Sequence, residues 1–248
     1  VEINDGVFRL TKKAPVVSYA LNSDAIMVTC RRSADAPESD QSVVLVKTED
    51  RSLEQISGWD TLGFRATCSS GYIIESEGDA RQVLPTPYGK VLSVSMHPVS
   101  HLTWGSLWTG LAASAVEVAR KSVRDAARKS PDVPPVSALR LSEVNEVLFS
   151  MRSGLNNAIA EYEALIESGR FDRIDDFAFA IRVNNVKVRC SEMLVDIVSR
   201  ALQIVVISGY KHEGPKSLSR HLRDASGASL MVNNDRIRGH NARMQLAI

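Results

Sequence analysis

The side chains of this sequence that could carry chemistry are spaced in ways that exclude several reaction types. His97, His101, His212, His221 and His240 show no HExxH pattern and no paired-ligand spacing, so they read as surface or packed residues. Cys30, Cys68 and Cys190 are odd in number, far apart and outside any Cys-x-x-Cys or Cys/His metal spacing, so neither a disulfide framework nor a metal site is expected. Ser69 and Ser70 sit in no nucleophile elbow. The basic, aromatic-poor stretch Lys211 to Arg223 could touch a phosphate but reads as a solvated loop. Arg220, Arg223 and Asp224 are expected to form a local ion-pair and capping network. Asp235 reads as a first-turn acid of a short helix, where the macrodipole favours negative charge.

The elements that must position these groups fall into two halves. The first is rich in β-branched residues, in the runs Val7–Leu10, Ala25–Thr29, Ser42–Val46, Ala66–Ile74 and Arg81–Leu84. Turn signals at Asp5-Gly6, Asn22–Asp24 and Pro85–Pro87 separate them. Many turns at short spacing predict a small antiparallel β-barrel or sandwich over 1–96, with Ser33–Gln41 as a hairpin loop. Beyond His97 the apolar period lengthens. Leu107, Leu111, Ala115, Val118, Ser122 and Val123 recur at helical steps, until the prolines of Ser130–Pro135 break the helix. A second helix is predicted over 142–168, a third over 175–208 with Gly209 as its stop, and shorter ones over 218–225 and 230–245. The third carries Phe179, Val183, Val186, Cys190, Leu194, Ile197 and Leu202 on its apolar stripe. The fold class is therefore α+β, with an up-and-down helix bundle over 97–248 following the β-domain.

Composition narrows the partners. The 248 residues hold 30 basic and 29 acidic side chains, for a net charge of +1, which disfavours broad binding to nucleic acid or an anionic membrane. No apolar run approaches the roughly 20 residues that span a bilayer. The N-terminus has no signal-peptide profile, and with the cysteine pattern this leads us to expect a reducing cytoplasm. Val1 opens the sequence without a Met, so the sequence is expected to begin inside a longer gene product or to have lost earlier residues.

Four stretches resemble the acyl-CoA dehydrogenase family: Trp59-Asp-Thr-Leu-Gly-Phe-Arg-Ala-Thr67, Gln203-Ile204, Gly209-Tyr210 and Leu222-Arg-Asp-Ala225. The resemblance runs from about Val7 to Ile248 and implies the family's middle β-domain and C-terminal bundle, with a helical domain and the first part of the β-domain expected before residue 1. It implies FAD as cofactor, α,β-dehydrogenation of an acyl-CoA or carrier-bound acyl thioester as the reaction, and a homo- or hetero-oligomer, dimer or tetramer.

Residue by residue, the resemblance places Ser18 against the N5 edge of the flavin, where a hydroxyl could hydrogen-bond the ring. Val16 stands where many relatives carry a shielding Trp. Arg128 and Lys129 fall where the family grips the FAD pyrophosphate across a dimer interface, without the aromatic and glycine that accompany them. Gln203 and Gly209 flank a turn in which Val206 and Ile207 replace two glycines that let backbone N–H groups approach phosphate. The two places for the catalytic Glu hold Val232 and Thr103, and neither is ionisable. Asp235, about one turn beyond Val232, is a candidate substitute base beside its reading as a first-turn acid, and the catalytic residues stay unassigned. The resemblance therefore also admits a catalytically degenerate partner subunit in a mixed oligomer, and a flavin-dependent monooxygenase of the same fold.

Overall fold

The structure is a computed structural model describing residues 1–247, which separate into two compact units, Val1–Ser95 and the residues from Met96 onward. The first unit contains six antiparallel strands: β1 (Glu2–Asn4), β2 (Val7–Ala14), β3 (Ala25–Arg31), β4 (Gln41–Lys47), β5 (Arg51–Ser57) and β6 (Gly71–Asp79). They form a four-stranded sheet in the order β1-β2-β6-β5 and a β3-β4 hairpin, paired from Ala25↔Lys47 to Arg31↔Gln41. Alternation along β2 sends Phe8, Leu10 and Ala14 inward to meet Val28, Val44 and Val46 of the hairpin and Tyr72 and Ile74 of β6. This packing makes the unit a sandwich. Gly78 lies opposite Phe8 in the β2–β6 ladder because a Cβ there would come 2.9 Å from the ring.

Two strand expectations need correcting. Residues 66–70 are not strand: Arg65–Thr67 is a 3-10 turn, and β6 starts at Gly71. Asp79 caps a second 3-10 turn, Ala80–Gln82, in place of the expected strand over 81–84. Gln82 then donates its side-chain amide to Leu45 O at 2.8 Å, and Leu84 N bonds Val43 O at 2.8 Å, so this segment straps β4 without extending a ladder. β5 was not legible. It is a polar strand with its side chains largely exposed, joined to β6 by backbone bonds.

The helices are α1 (Tyr88–Val91), α2 (His97–Lys129), α3 (Ser137–Glu167), α4 (Phe171–Ile174), α5 (Phe177–Val205), α6 (Ile207–Tyr210), α7 (Ser219–Gly227) and α8 (Asn234–Gln245). Arg120 of α2 reaches Asn145 of α3, and Gly105 lies beside Leu155, so α3 runs back along α2. His97 bonds Asn184, and Gly105 also approaches Cys190, so α5 runs parallel to α2 in an up-down-up arrangement. Ala112, Ala115, Ala119, Ala158 and Ala201 are buried where the helices close on one another, with Leu148, Met151, Leu194 and Ile197 filling the space between. The buried stripe of α2 differs from expectation: Leu107 is exposed, and Leu102, Trp108 and Ala112 face the core. No side chain caps α7, whose first residue follows Leu218, so the capping role expected near Arg220 is not made there.

Candidate functional site

In the β unit, Ser18 stands exposed on the loop after β2, against the segment that leads into β6. Two backbone bonds hold the loops together, Val17 N to Ser70 O at 2.9 Å and Tyr19 N to Thr67 O at 3.2 Å. Between them a row of hydroxyls runs inward, Ser18 Oγ to Ser69 Oγ at 2.7 Å and Ser69 Oγ to Thr67 Oγ1 at 2.7 Å. Tyr19, Phe64 and Cys68, all beside this row, have positive φ of 53°, 53° and 46°. Non-glycine residues avoid that region, and its use concentrates at functional loops. Val16 is 57 % exposed and offers no aromatic shield.

The bundle contains a second constellation, which the sequence reading missed. Lys187 of α5 has no exposed surface, yet it donates to Val232 O at 2.7 Å and to Asn234 Oδ1 at 2.8 Å, and lies 5.4 Å from the centre of the Trp108 ring. An ammonium can be buried only if its donors are satisfied, and two oxygens and an aromatic face do so here. No carboxylate joins it, and burial alone pushes its pKa down from 10.5 to about 8. Farther along, His97 Nε2 and Asn184 Oδ1 are 2.8 Å apart, and Asn184 donates to Asn241 of α8 at 2.7 Å. His101, four residues after His97, has its ring centre 4.5 Å from that of His97 at a tilt of 51°, and is held to about pKa 3, mainly by burial and then by His97 and Lys187. Its Nε2 is buried without a partner.

The signal for this cluster was present. Asn184, Lys187 and Ser191 recur at three and four residues on the buried face of α5, and His97 and His101 share one face of α2. Polar side chains on an apolar stripe are the readable mark. Reading the histidines as surface or packed residues overlooked their spacing of four.

The expected base positions lie beside this cluster but contain no acid. Val232 sits in the turn before α8 with φ +48°, and its carbonyl is the Lys187 acceptor. Thr103 is exposed on α2. Asp235 lies in the first turn of α8, its side chain 91 % exposed and 3.5 Å from Arg238. Asn233 caps that turn, accepting from the N–H groups of Asp235 and Arg236.

The residues expected around phosphate gather at the far end of α2. Lys216 pairs with Asp125 at 2.7 Å, tying the chain after α6 to the last turns of α2, where Arg128 also meets Asp125 at 3.8 Å. Arg128 and Thr103 are about 38 Å apart along one helix, so they cannot serve one pocket within a single chain. Arg128, Lys129 and Gln203 are exposed. The end of α5 also differs from expectation. Val206, with φ +55° and ψ −140°, breaks the helix in a conformation suited to glycine. Gly209 lies within α6 and is not the stop; a Cβ there would come 3.0 Å from Val205 Cγ1.

These contacts test whether a flavin fits. At the position expected for the ring edge, Ser18 would offer an exposed hydroxyl. The diphosphate of FAD has no partner at the α5–α6 turn, where Val206 and Ile207 are 63 % and 68 % exposed and project β-branched side chains in place of bare backbone. Among the described residues, no group of three or more His, Cys, Asp or Glu could hold a metal, the three cysteines are free, and no helix is long and apolar enough to cross a membrane.

No protein-family profile and no curated protein sequence matches the chain. Solved structures do. Butyryl-CoA dehydrogenase from Megasphaera elsdenii superposes with a TM-score of 0.80 at 15% identity, covering 98% of this chain and 62% of that one. The 3-HSA hydroxylase from Rhodococcus sp. RHA1 gives 0.80 at 16% identity, covering 99% and 67%. Dibenzothiophene monooxygenase from Paenibacillus sp. A11-2 gives 0.74 at 16% identity, covering 99% and 66%. The chain thus has the acyl-CoA dehydrogenase fold, its sandwich and bundle matching that fold's middle and C-terminal domains. Dehydrogenases and monooxygenases share this architecture, and the chain spans 62% of the butyryl-CoA dehydrogenase.

Proposed function

We propose that this protein is a flavin-dependent monooxygenase built on the acyl-CoA dehydrogenase fold, taking flavin as a reduced cosubstrate and not as a resident FAD. The observation that carries the reading is the turn at Val232. An α,β-dehydrogenase must remove a proton from carbon, and losing the base costs about 10²–10⁴-fold in rate. Here the base position presents a backbone carbonyl bound to a buried lysine, and the surrounding donors are histidine, asparagine and serine. The lack of a diphosphate cradle at Val206 and Ile207 supports the same reading, because a ring that leaves after each turnover needs no such grip. Reduced flavin would supply the electrons for oxygen activation, with Ser18 contacting the ring. Two fold neighbours, a hydroxylase and a monooxygenase, are consistent with it.

The fold match to butyryl-CoA dehydrogenase keeps a second reading in view, FAD-dependent dehydrogenation of an acyl-CoA or carrier-bound acyl thioester. A third is a degenerate partner subunit of a mixed oligomer. We further propose a dimer or tetramer in a reducing cytoplasm, checked by light scattering and by localisation of a tagged protein.

One experiment separates the three. Purified protein is titrated anaerobically with reduced and oxidised FMN and FAD, and then with butyryl-CoA after loading with oxidised FAD. The monooxygenase reading expects binding of reduced flavin and no bleaching by the thioester. A yellow protein bleached by butyryl-CoA refutes it in favour of the dehydrogenase, and binding of no flavin in either state supports the degenerate subunit.

A further inference from the structure

We propose that the open end of the β-sandwich is a binding site for an aliphatic α-amino acid, whose carboxylate is held by Arg51 and Ser76. The site goes beyond the flavin reading and does not depend on it. Its cavity lies wholly within the β unit, and neither Ser18 nor the hydroxyls behind it line it.

The site follows from strand register. Leu10 of β2 and Arg51 of β5 each sit opposite Ser76 of β6, so the three side chains form one row on the inner face of the sheet. Farther into the sandwich, Ile74 is covered by Val28, Val44 and Val46 of the hairpin. At the Ser76 row the hairpin offers only Cys30, the next inward residue of β3 after Val28, and Cys30 is half-buried. A cavity of about 850 Å³ opens here, with Leu10, Ser76, Arg51 and Cys30 among its walls. Small-molecule sites span about 300–1,000 Å³.

Two buried polar atoms of this row have no partner, Ser76 Oγ and Arg51 Nη1, and Ser76 is 7 % exposed. Arg51 cannot swing away to find one. Its other arm is fixed, with Nη2 donating to Ser23 O at 2.6 Å and to Ala20 O at 2.9 Å. Folded proteins seldom leave buried donors unmet, and these two stand side by side on neighbouring strands. A carboxylate accepts from both, one oxygen to the guanidinium and one to the hydroxyl.

Charge narrows the ligand further. Five acidic residues and three arginines line the cavity, and Arg9 is already matched to Glu77 at 2.7 Å. A multiply charged anion such as phosphate therefore meets surplus negative charge. A single carboxylate that brings an ammonium with it does not, and Glu49 and Asp50, beside Arg51 in the chain, are the acids placed to receive that ammonium. Leu10 and Cys30 supply an apolar wall for an aliphatic side chain.

The test is calorimetric titration of the full chain with L-leucine, 4-methylpentanoate, 3-methylbutylamine and inorganic phosphate, in wild type and Ser76→Ala. Leucine should bind once per chain, and about tenfold more weakly to Ser76→Ala, which lacks one charge-assisted bond. The analogues without the ammonium or without the carboxylate should each bind wild type more weakly than leucine, as should phosphate. Urea unfolding separates binding from folding. Without ligand, Ser76→Ala should be at least as stable as wild type, because its hydroxyl has no partner to lose, while the rise in urea midpoint caused by leucine should shrink. Absence of saturable leucine binding overturns the site, as does leucine binding that Ser76→Ala leaves unchanged. Binding of 4-methylpentanoate or phosphate as tight as that of leucine overturns the amino-acid assignment.

Discussion

Replacing Lys187 by Met tests the bundle cluster through a quantity that ordinary packing does not change, the dependence of stability on pH between 7 and 10.5. Met keeps the length of the side chain and removes the charge. At neutral pH two effects oppose each other. The variant loses the bonds to Val232 O and Asn234 Oδ1, each worth about 1.5–3 kcal/mol as a charge-assisted bond, though Asn234 keeps Ser191 as a partner. It also escapes the cost of a buried ammonium, which the fall in pKa from 10.5 to about 8 sets at about 3 kcal/mol. The net change at pH 7 is therefore a loss of between about 0 and 3 kcal/mol.

The pH dependence has a definite sign. Between pH 8 and 10.5 the unfolded lysine keeps its proton and the folded one has lost it, so the unfolded state binds more protons and folding stability rises with pH. That gain is fully present above 10.5 and is lost as pH falls through 8. Urea unfolding followed by circular dichroism at pH 7, 8, 9 and 10 should show wild type gaining on Lys187→Met by about 2.5 kcal/mol across the range. Parallel curves, with a difference constant within about 0.5 kcal/mol, would mean that Lys187 is not a buried charge without a carboxylate partner.

Two further predictions concern His101 and Val206. His101 is neutral when folded and takes a proton when unfolded below its ordinary pKa of 6.5, so stability should fall by about 2 kcal/mol from pH 6.5 to 4.5, and His101→Leu should remove most of that slope in the same unfolding assay. Val206→Gly should raise stability by about 1 kcal/mol by relieving a β-branched residue at positive φ, whereas Val206→Ala should give little, since alanine is strained there too; equal urea midpoints for the two variants would refute the strain.

The division of this chain into strands and long helices was legible because burial on one face imposes its own period, two along β2 and three to four along α5. β5 escaped because an exposed polar strand buries little and is defined by its backbone partner in β6. The end of α5 was misplaced for a related reason. Gly209 looks like a helix stop in sequence, but it is needed for close contact with Val205, while Val206 takes the left-handed turn. Steric demand from a neighbour, absent from the sequence pattern, decided which residue filled which role.

Sequence alone determined that the turns at Val206 and Val232 carry β-branched side chains, with neither a glycine nor an acid at those positions, because those are statements about residue type. Only the tertiary structure decided that both valines adopt positive φ, that Lys187 reaches across from α5 to hold the Val232 carbonyl, and that Ser18, Ser69 and Thr67 form one row of hydroxyls. The reason is physical. A residue type fixes which protons and charges exist, but hydrogen-bond direction and the cost of burying a charge depend on partners brought together from distant parts of the chain, 45 residues apart for Lys187 and Val232 and 51 for Ser18 and Ser69.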